Sequence, residues 1–390
     1  MKSEWQTKKI GEVVDIRRGS SPRPIHKFLA SEGMPWVKIA DATSDTSRYI
    51  WRTNEFIIDE GVNKSVKVVP ETLIVSNSAT PGLPKIMKIT ACVHDGWLVF
   101  FNYRGITRDF LYYKFVDIRH KLVNQANGSV FQNLKTDIVR DFDIDVPSIE
   151  TQQKIVGILS NIDEKIELNN AINNNLEQQA QAIFSNEFLS LETLPDGWKQ
   201  ASLIDIADYL NGLAMQKYRP TADETGIPVL KIKELRQGCC DNNSEMCSPN
   251  IKSDYIIQDG DVIFSWSGSL LVDLWCGGTC GLNQHLFKVS SSKYDKWFYY
   301  AWTKHHLDRF IAVAADKATT MGHIKRDELA KAEVLIPNEA DYERIGALLK
   351  PIYDLIIANR IENKKLAETR DTLLPKLMNG EIDISEVDYE

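Results

Sequence analysis

No apolar run in the 390-residue chain reaches the length of a membrane span. The first residues, Met1-Lys2-Ser3-Glu4-Trp5, lack the apolar core of a signal peptide, so the sequence is expected to be cytoplasmic. There is no Gly-x-x-x-x-Gly-Lys-Ser/Thr phosphate loop, which removes an ATP motor. There is no Asn/Asp-Pro-Pro-Tyr/Phe run, the element an adenine methyltransferase sets against its flipped base, and no His-Glu-x-x-His zinc helix. Cysteine is scarce and uneven: Cys92 stands in the first half, and Cys239, Cys240, Cys247, Cys276 and Cys280 in the second. That is no repeated disulfide framework, and reduced thiols are expected. Neither Cys239-Cys240-x6-Cys247 nor Cys276-x3-Cys280 has the two close pairs of a zinc knuckle, so no metal is expected. The adjacent His305 and His306 face different directions on a helix and read as structural.

A dominant charge of one sign is also missing. The net charge is −8, unevenly spread. Residues 1–150 carry +3, 151–197 carry −5, 198–337 carry −1, and 338–390 carry −5. The acidity lies in two segments with helical patterning. The intervening parts are near neutral, which leaves room for basic residues to gather on one face.

What the chain does contain is itself, twice. Trp5 answers to Trp198, Gly19 to Gly212, and Gly33-x-Pro35-x-x-Lys38-Ile39 to Gly226-x-Pro228-x-x-Lys231-Ile232, all at an offset of 193. Leu73-Ile74-Val75-Ser76 answers to Val262-Ile263-Phe264-Ser265 at 189, and Lys135-x-Asp137 and Pro147 answer to Lys325-x-Asp327 and Pro337 at 190. Two similar halves suit a target with two half-sites, as duplex DNA supplies.

Each half mixes short β-like runs with turns and one helix, at Arg108–Asn124 and near Lys296–Val313, which predicts an α+β domain. The boundaries read as 1–148 for the first domain, 149–190 for a long helix, 191–338 for the second domain, 339–382 for another long helix, and 383–390 for an acidic tail. The first helix carries a seam stepping by four and three: Ile155, Leu159, Ile162, Ile166, Asn169, Asn173, Leu176. The second repeats it as Ile345, Leu349, Ile352, Ile356, Asn359, Asn363, Leu366. That spacing predicts two helices paired as an antiparallel coiled coil, with asparagines at the same two positions to penalise slipped registers. The other reading is two amphipathic helices, each packed on its own domain. Pro351 stands where the first helix has Asn161 and is expected to bend or delay the second.

Polar, turn-forming loops recur at equivalent places. Residues able to reach phosphates or base edges are Arg17, Arg18, Ser20, Arg23, Asn77, Ser78, Thr80, Asn127, Ser129, Gln132 and Lys135 in the first half. In the second they are Lys217, Arg219, Ser265, Ser267, Thr319, Thr320, His323, Lys325 and Arg326. The bland alternative for each is a solvated loop.

The long helices resemble those of the specificity subunits of type I restriction-modification systems. The likeness is carried by Gln152-Gln153-Lys154-Ile155-Val156, Asn161 to Asn169 and Leu176-Glu177, and by Asn363 and Arg370-Asp371-x-Leu373 to Ile382. The Gly-x-Pro-x-x-Lys-Ile segment, the later strand ending in Ser, and Lys-x-Asp before a closing Pro fit the family's domains. The resemblance implies a subunit with no catalysis and no cofactor of its own. Its two target-recognition domains would each read half of a split double-stranded DNA sequence. The paired helices would act as a spacer and dock two methyltransferase subunits, joined by restriction subunits where present. S-adenosylmethionine, ATP and Mg2+ would be bound by those partners. Two rivals stay open from the residues alone: a coiled-coil scaffold that never touches DNA, and an enzyme with a Cys/His zinc site in the C-terminal half.

Overall fold

The computed structural model describes residues 5–43, 47–126, 133–316, 324 and 326–384. The chain divides into two compact units, residues 1–167 with 367–390, and residues 168–366. No helix among the described residues is long and apolar enough to cross a membrane.

The first unit is built on five strands in the order Asp15–Arg18, Trp97–Phe101, Leu73–Ser76, Pro84–Met87, Tyr49–Ile50. Leu73, Val75, Leu98 and Phe100 point into a core shared with the helix Arg108–Ala126. Their neighbours Ile74, Trp97 and Val99 point the other way, into a second core. Alternate residues of a strand face opposite sides, so strands clothed on both faces read as unbroken apolar runs. The second core is closed by another five-stranded sheet, in which Met34–Val37 runs parallel to Ala91–Val93. A two-stranded ribbon pairs the chain's way in, Gln6–Lys9, with its way out, Asp143–Val146.

The second unit repeats the plan. Its main sheet runs Asp208–Asn211, Leu286–Ser290, Val262–Ser265, Leu271–Leu274. Val262 and Phe264 face the helical core and Ile263 the inter-sheet core. Ile227–Leu230 runs parallel to Cys280–Leu282, and Lys199–Ser202 pairs with Glu333–Ile336. The helix expected near Lys296–Val313 is two helices, Lys296–His305 and Leu307–Asp316. At the break, His306 is buried and its Nε2–H donates to the Glu333 carbonyl at 2.8 Å.

The long helices span Ile149–Phe184 and Glu339–Met378. The expected delay at Pro351 does not occur: the second helix is continuous through it. Within the first unit, Ile155 and Leu159 are buried in the domain core together with Leu374, Leu377 and Met378 of the second helix. Asp163 accepts from Arg370 at 2.8 Å and from the Tyr113 hydroxyl at 2.7 Å. Within the second unit, Ile345, Leu349 and Ile356 are buried with Ala180 and Phe184 of the first helix. Ile162, Ile166, Leu176, Ile352 and Leu366 are half-buried. The amide of Asn169 donates to Asn363 at 2.8 Å and to Glu362 at 2.7 Å, and that of Asn359 donates to Asn173 at 2.9 Å. These pairs run antiparallel, since the lower-numbered asparagine of one helix meets the higher-numbered one of the other. The helices pack together, and each N-terminal half also docks on the domain it follows.

Asn169 is 1% exposed and its amide bonds both Asn363 and the Glu362 carboxylate, so truncation removes two hydrogen bonds, one of them to a charged group, from a buried position. Asn169→Ala is expected to lower unfolding free energy by about 1–3 kcal/mol, read from urea denaturation. A second expectation concerns acid. Burial pushes the His306 imidazole down to about 4. Between that value and the ordinary histidine range the unfolded chain binds a proton that the folded chain refuses. The stabilisation is therefore complete above about pH 6.5 and is lost as pH falls toward 4, on the order of 3 kcal/mol in all. Melts between pH 7.5 and 4.5 should show a shallower loss in His306→Gln than in the parent protein.

Candidate nucleic-acid interface

In each unit two of the polar loops emerge from the ends of the central strands, and of the third the described residues Leu134 and Ile324 bond to the hairpin. The hairpin between Leu73–Ser76 and Pro84–Met87 turns through Asn77–Leu83. Ser76 closes it, its hydroxyl donating to the Thr80 carbonyl while its Oγ accepts from the Leu83 amide at 3.0 Å. Ser265 closes the matching hairpin, donating to the Ser269 carbonyl at 2.9 Å. Both tips pass through the left-handed region at the same place, Ala79 at φ 57° and Gly268 at φ 64°. Glycine suits that conformation; the first copy forces an alanine into it.

The first loop of each unit is anchored by close backbone approach. A Cβ on Gly19 would lie 2.1 Å from the His94 carbonyl oxygen, and one on Gly212 would lie 2.2 Å from that of Asn283. Only glycine fits such spacing, which is why both copies keep it. The third loop joins through Leu134, whose amide donates to the Asn77 carbonyl at 2.8 Å; in the second unit the Ile324 amide donates to the Trp266 carbonyl at 3.0 Å.

A further element, absent from the sequence-based candidates, bonds both the first loop and the hairpin. It is the turn His94-Asp95-Gly96 and its counterpart Asn283-Gln284-His285. Asn77 donates through its backbone to the Gly96 carbonyl at 2.8 Å and through its side chain to the Asp95 carbonyl at 3.1 Å. The Asp95 carboxylate accepts from the Ser21 hydroxyl and from Arg23 at 3.2 Å, and the Arg18 Nε–H donates to the Asp95 carbonyl at 2.8 Å. The Ser21 bond, with the residue's own amide and Arg23, holds the carboxyl below its ordinary range against the opposing effect of burial. Burial pushes the His94 imidazole down, and its Nδ1 accepts from the Gly96 amide at 2.8 Å. In the second unit the Gln284 amide donates to the Leu213 carbonyl at 2.9 Å, and Ser267 bonds His285 Nδ1 at 3.0 Å. Trp266 donates to Asn211 at 3.0 Å and stacks on Phe287. The signal for the turn was the shared glycine, which needs a carbonyl beside it, but no sequence spacing says which carbonyl.

The candidates separate by role. Arg17, Arg18, Arg23, Lys135, Lys217, Arg219 and Arg326 are exposed, and Ser78 and Thr80 are half-exposed. Arg17 and Arg18 are adjacent in a strand and so face opposite sides. Arg219 is paired with Glu245 at 3.2 Å, and Arg326 donates to the Tyr209 carbonyl at 3.1 Å. Ser20 donates to the Lys64 carbonyl at 3.0 Å. Asn77, Ser265 and Ser267, expected to reach outward, are 4%, 0% and 2% exposed. Their polar atoms bond within the fold, so they shape the loops rather than project from them. Asn127, Ser129, Gln132, Thr319, Thr320, His323 and Lys325 lie outside the described residues.

Cys240 and Cys280 stand 3.6 Å apart as free thiols, and no group of three His, Cys, Asp or Glu among the described residues could hold a metal ion.

The same frame built twice, with different letters on its loops, has relatives. Residues 2–178 and 195–368 each match the type I restriction modification DNA specificity domain. The chain belongs to that family. The specificity subunit of the type I restriction enzyme MjaIX of Methanocaldococcus jannaschii is 27% identical, over 98% of this chain and 95% of the relative. That of HindI from Haemophilus influenzae is 22% identical, over 67% of this chain and 74% of the relative. The crystal structure of the type I restriction-modification S subunit from M. genitalium shares the fold, with a TM-score of 0.58 at 15% identity over 96% of both chains.

Gly212→Ala drives a methyl into the Asn283 carbonyl. Amide exchange at Gly212 and Leu213, bonded to Leu286 and Leu282 at 3.0 and 2.9 Å, should quicken at least tenfold while exchange in the first unit stays unchanged. Unaltered protection would show that the loop tolerates the added carbon.

Proposed function

We propose that this chain is the DNA sequence-recognition subunit of a type I restriction-modification complex, with no catalysis of its own, and that each globular domain reads one half of a bipartite target. The observation that carries this reading is the double loop cluster. In each unit the first loop, the hairpin tip and the turn after the parallel strand are held together by hydrogen bonds, with Leu134 or Ile324 bonded to the hairpin at the equivalent place, and their side chains differ between the copies. A frame that repeats while its polar letters diverge fits one kind of target with two different sequences. Phosphate contacts position a protein on DNA and base contacts specify the sequence; exposed Arg18, Arg23, Lys135, Lys217 and Arg219 supply chemistry for both.

The partners under this reading are double-stranded DNA, two methyltransferase subunits, and restriction subunits where the system has them, in the cytoplasm. S-adenosylmethionine, ATP and Mg2+ would be bound by those subunits and not by this one. The long helices are the proposed docking site for the methyltransferases. Among the acids of these helices, Glu164 and Glu167 lie 3.1 and 3.5 Å from the buried Arg48 of the first domain, which makes them poor probes of that docking. Reversing their charge would strand that guanidinium and disturb the domain itself. Exposed acids elsewhere on the helices, such as Glu343 and Asp354, are the better probes.

A scaffold that never touches DNA needs no repeated set of small polar loops at its strand ends. The deciding experiment replaces residues 5–147 with the corresponding domain of another family member and maps adenine methylation by the assembled complex. One half of the methylated sequence should change and the other should stay. A change in both halves together, or methylation of no split sequence by the parent complex, would overturn the reading.

A further inference from the structure

The turn that bonds the first loop and the hairpin carries different chemistry in the two units, on the same backbone. The matched approach of Gly19 to the His94 carbonyl and of Gly212 to the Asn283 carbonyl makes Asp95 the equivalent of Gln284 in the repeat, and Gly96 that of His285. In the first unit a carboxylate gathers donors. Asp95 accepts from Ser21 and Arg23, and its backbone carbonyl takes the Arg18 Nε–H. The two guanidinium side chains remain 59% and 79% exposed. In the second unit an amide replaces the carboxylate. The Gln284 side chain makes one long contact among the described hydrogen bonds, 3.4 Å to His285 Nε2, and the His285 ring is fixed by Ser267.

We propose that this turn is a specificity-determining element of the DNA-reading face: Asp95 is a positioning residue that aims Arg18 and Arg23 at base edges of one half-site, and Gln284 and His285 contact bases of the other directly. The inference rests on the reading of the chain as a DNA-specificity subunit. Exposed ion pairs contribute little to stability, so what Asp95 supplies is direction. Its carboxylate holds Arg23 at 3.2 Å and stands 4.0 Å from Arg18, whose Nε–H its backbone carbonyl also accepts, so both long side chains are tied to the turn. A guanidinium so held presents the fork that fits guanine O6 and N7, and a carboxamide fits adenine N6 and N7. The half-site read by the first domain therefore contains guanine, and the half-site read by the second contains an adenine recognised through Gln284. A position whose backbone is held constant while its side chain changes class is where two otherwise similar readers would differ.

The test uses the complex assembled with its methyltransferase subunits, and reads both the methylated sequence and the rate on a panel of single-base variants of each half-site. Asp95→Asn should relax preference at a guanine of one half-site by about tenfold and leave the other half unchanged. Gln284→Ala should do the reverse. Arg23→Lys keeps a cation beside Asp95 but removes the fork, and should relax the same half as Asp95→Asn; it decides the matter if the asparagine variant fails to assemble. A uniform fall in rate with both halves still read faithfully would make the turn merely structural and overturn the proposal. So would variants with unchanged sequence and rate. A parent complex that methylates no split sequence would instead sink the underlying DNA reading, whatever the turn does.

Discussion

Burial of the central strands on both faces is the constraint from which the rest follows. Leu98 and Phe100 enter the helical core while Trp97 and Val99 enter the inter-sheet core. Val262 and Phe264 against Ile263 do the same in the second unit. A strand clothed on both sides has no exposed face to carry function. Polar groups can collect only where it ends, and that is where Ser76, Ser265 and the turns after Val93 and Leu282 stand. The double core gives rigidity below, and the strand ends give a small platform on which short loops are held by backbone bonds.

On that platform the molecule separates shape from chemistry. Ser76 and Ser265 close the same hairpin, and Gly19 and Gly212 permit the same close approach. Between these fixed points the letters are free to differ: Asn77-Ser78-Ala79-Thr80 against Trp266-Ser267-Gly268-Ser269, and His94-Asp95-Gly96 against Asn283-Gln284-His285. Several polar residues in the loops are buried and serve the frame, so a loop's polarity is a poor guide to which of its side chains face outward.

Much of the plan was legible before any coordinates. The internal offset marked two α+β domains, and the seam from Ile155 to Leu176, repeated from Ile345 to Leu366, marked two helices that pack together with their asparagines in register. Other features were not legible. Pro351 was expected to bend or delay its helix, yet the helix begins at Glu339 and runs through it. A proline lacks one donor, and the buried Ile345, Leu349, Tyr353 and Ile356 around it supply packing that outweighs that loss. The helix near Lys296–Val313 read as one piece because apolar spacing continues across His306, whose bond to Glu333 depends on a strand distant in sequence. Asn77, Ser265 and Ser267 read as outward-facing because composition does not reveal which polar groups a tight turn needs for itself. Asp95 and Gln284 were missed because their importance comes from neighbours brought by the sheet, not from flanking residues.

The ribbons Gln6–Lys9 with Asp143–Val146 and Lys199–Ser202 with Glu333–Ile336 bring each domain's entrance beside its exit. Polypeptide between such paired ends behaves as a cassette. It can grow, shrink or be exchanged without altering the phase of the helix that follows. At the level of the gene, recombination within the stretches encoding the ribbons would yield hybrids with intact cores, whereas a crossover between Leu73 and Phe101 would join halves of two unrelated sheets. The fold thus favours inheritance of each domain as a whole, and a new pairing of old domains leaves both cores intact.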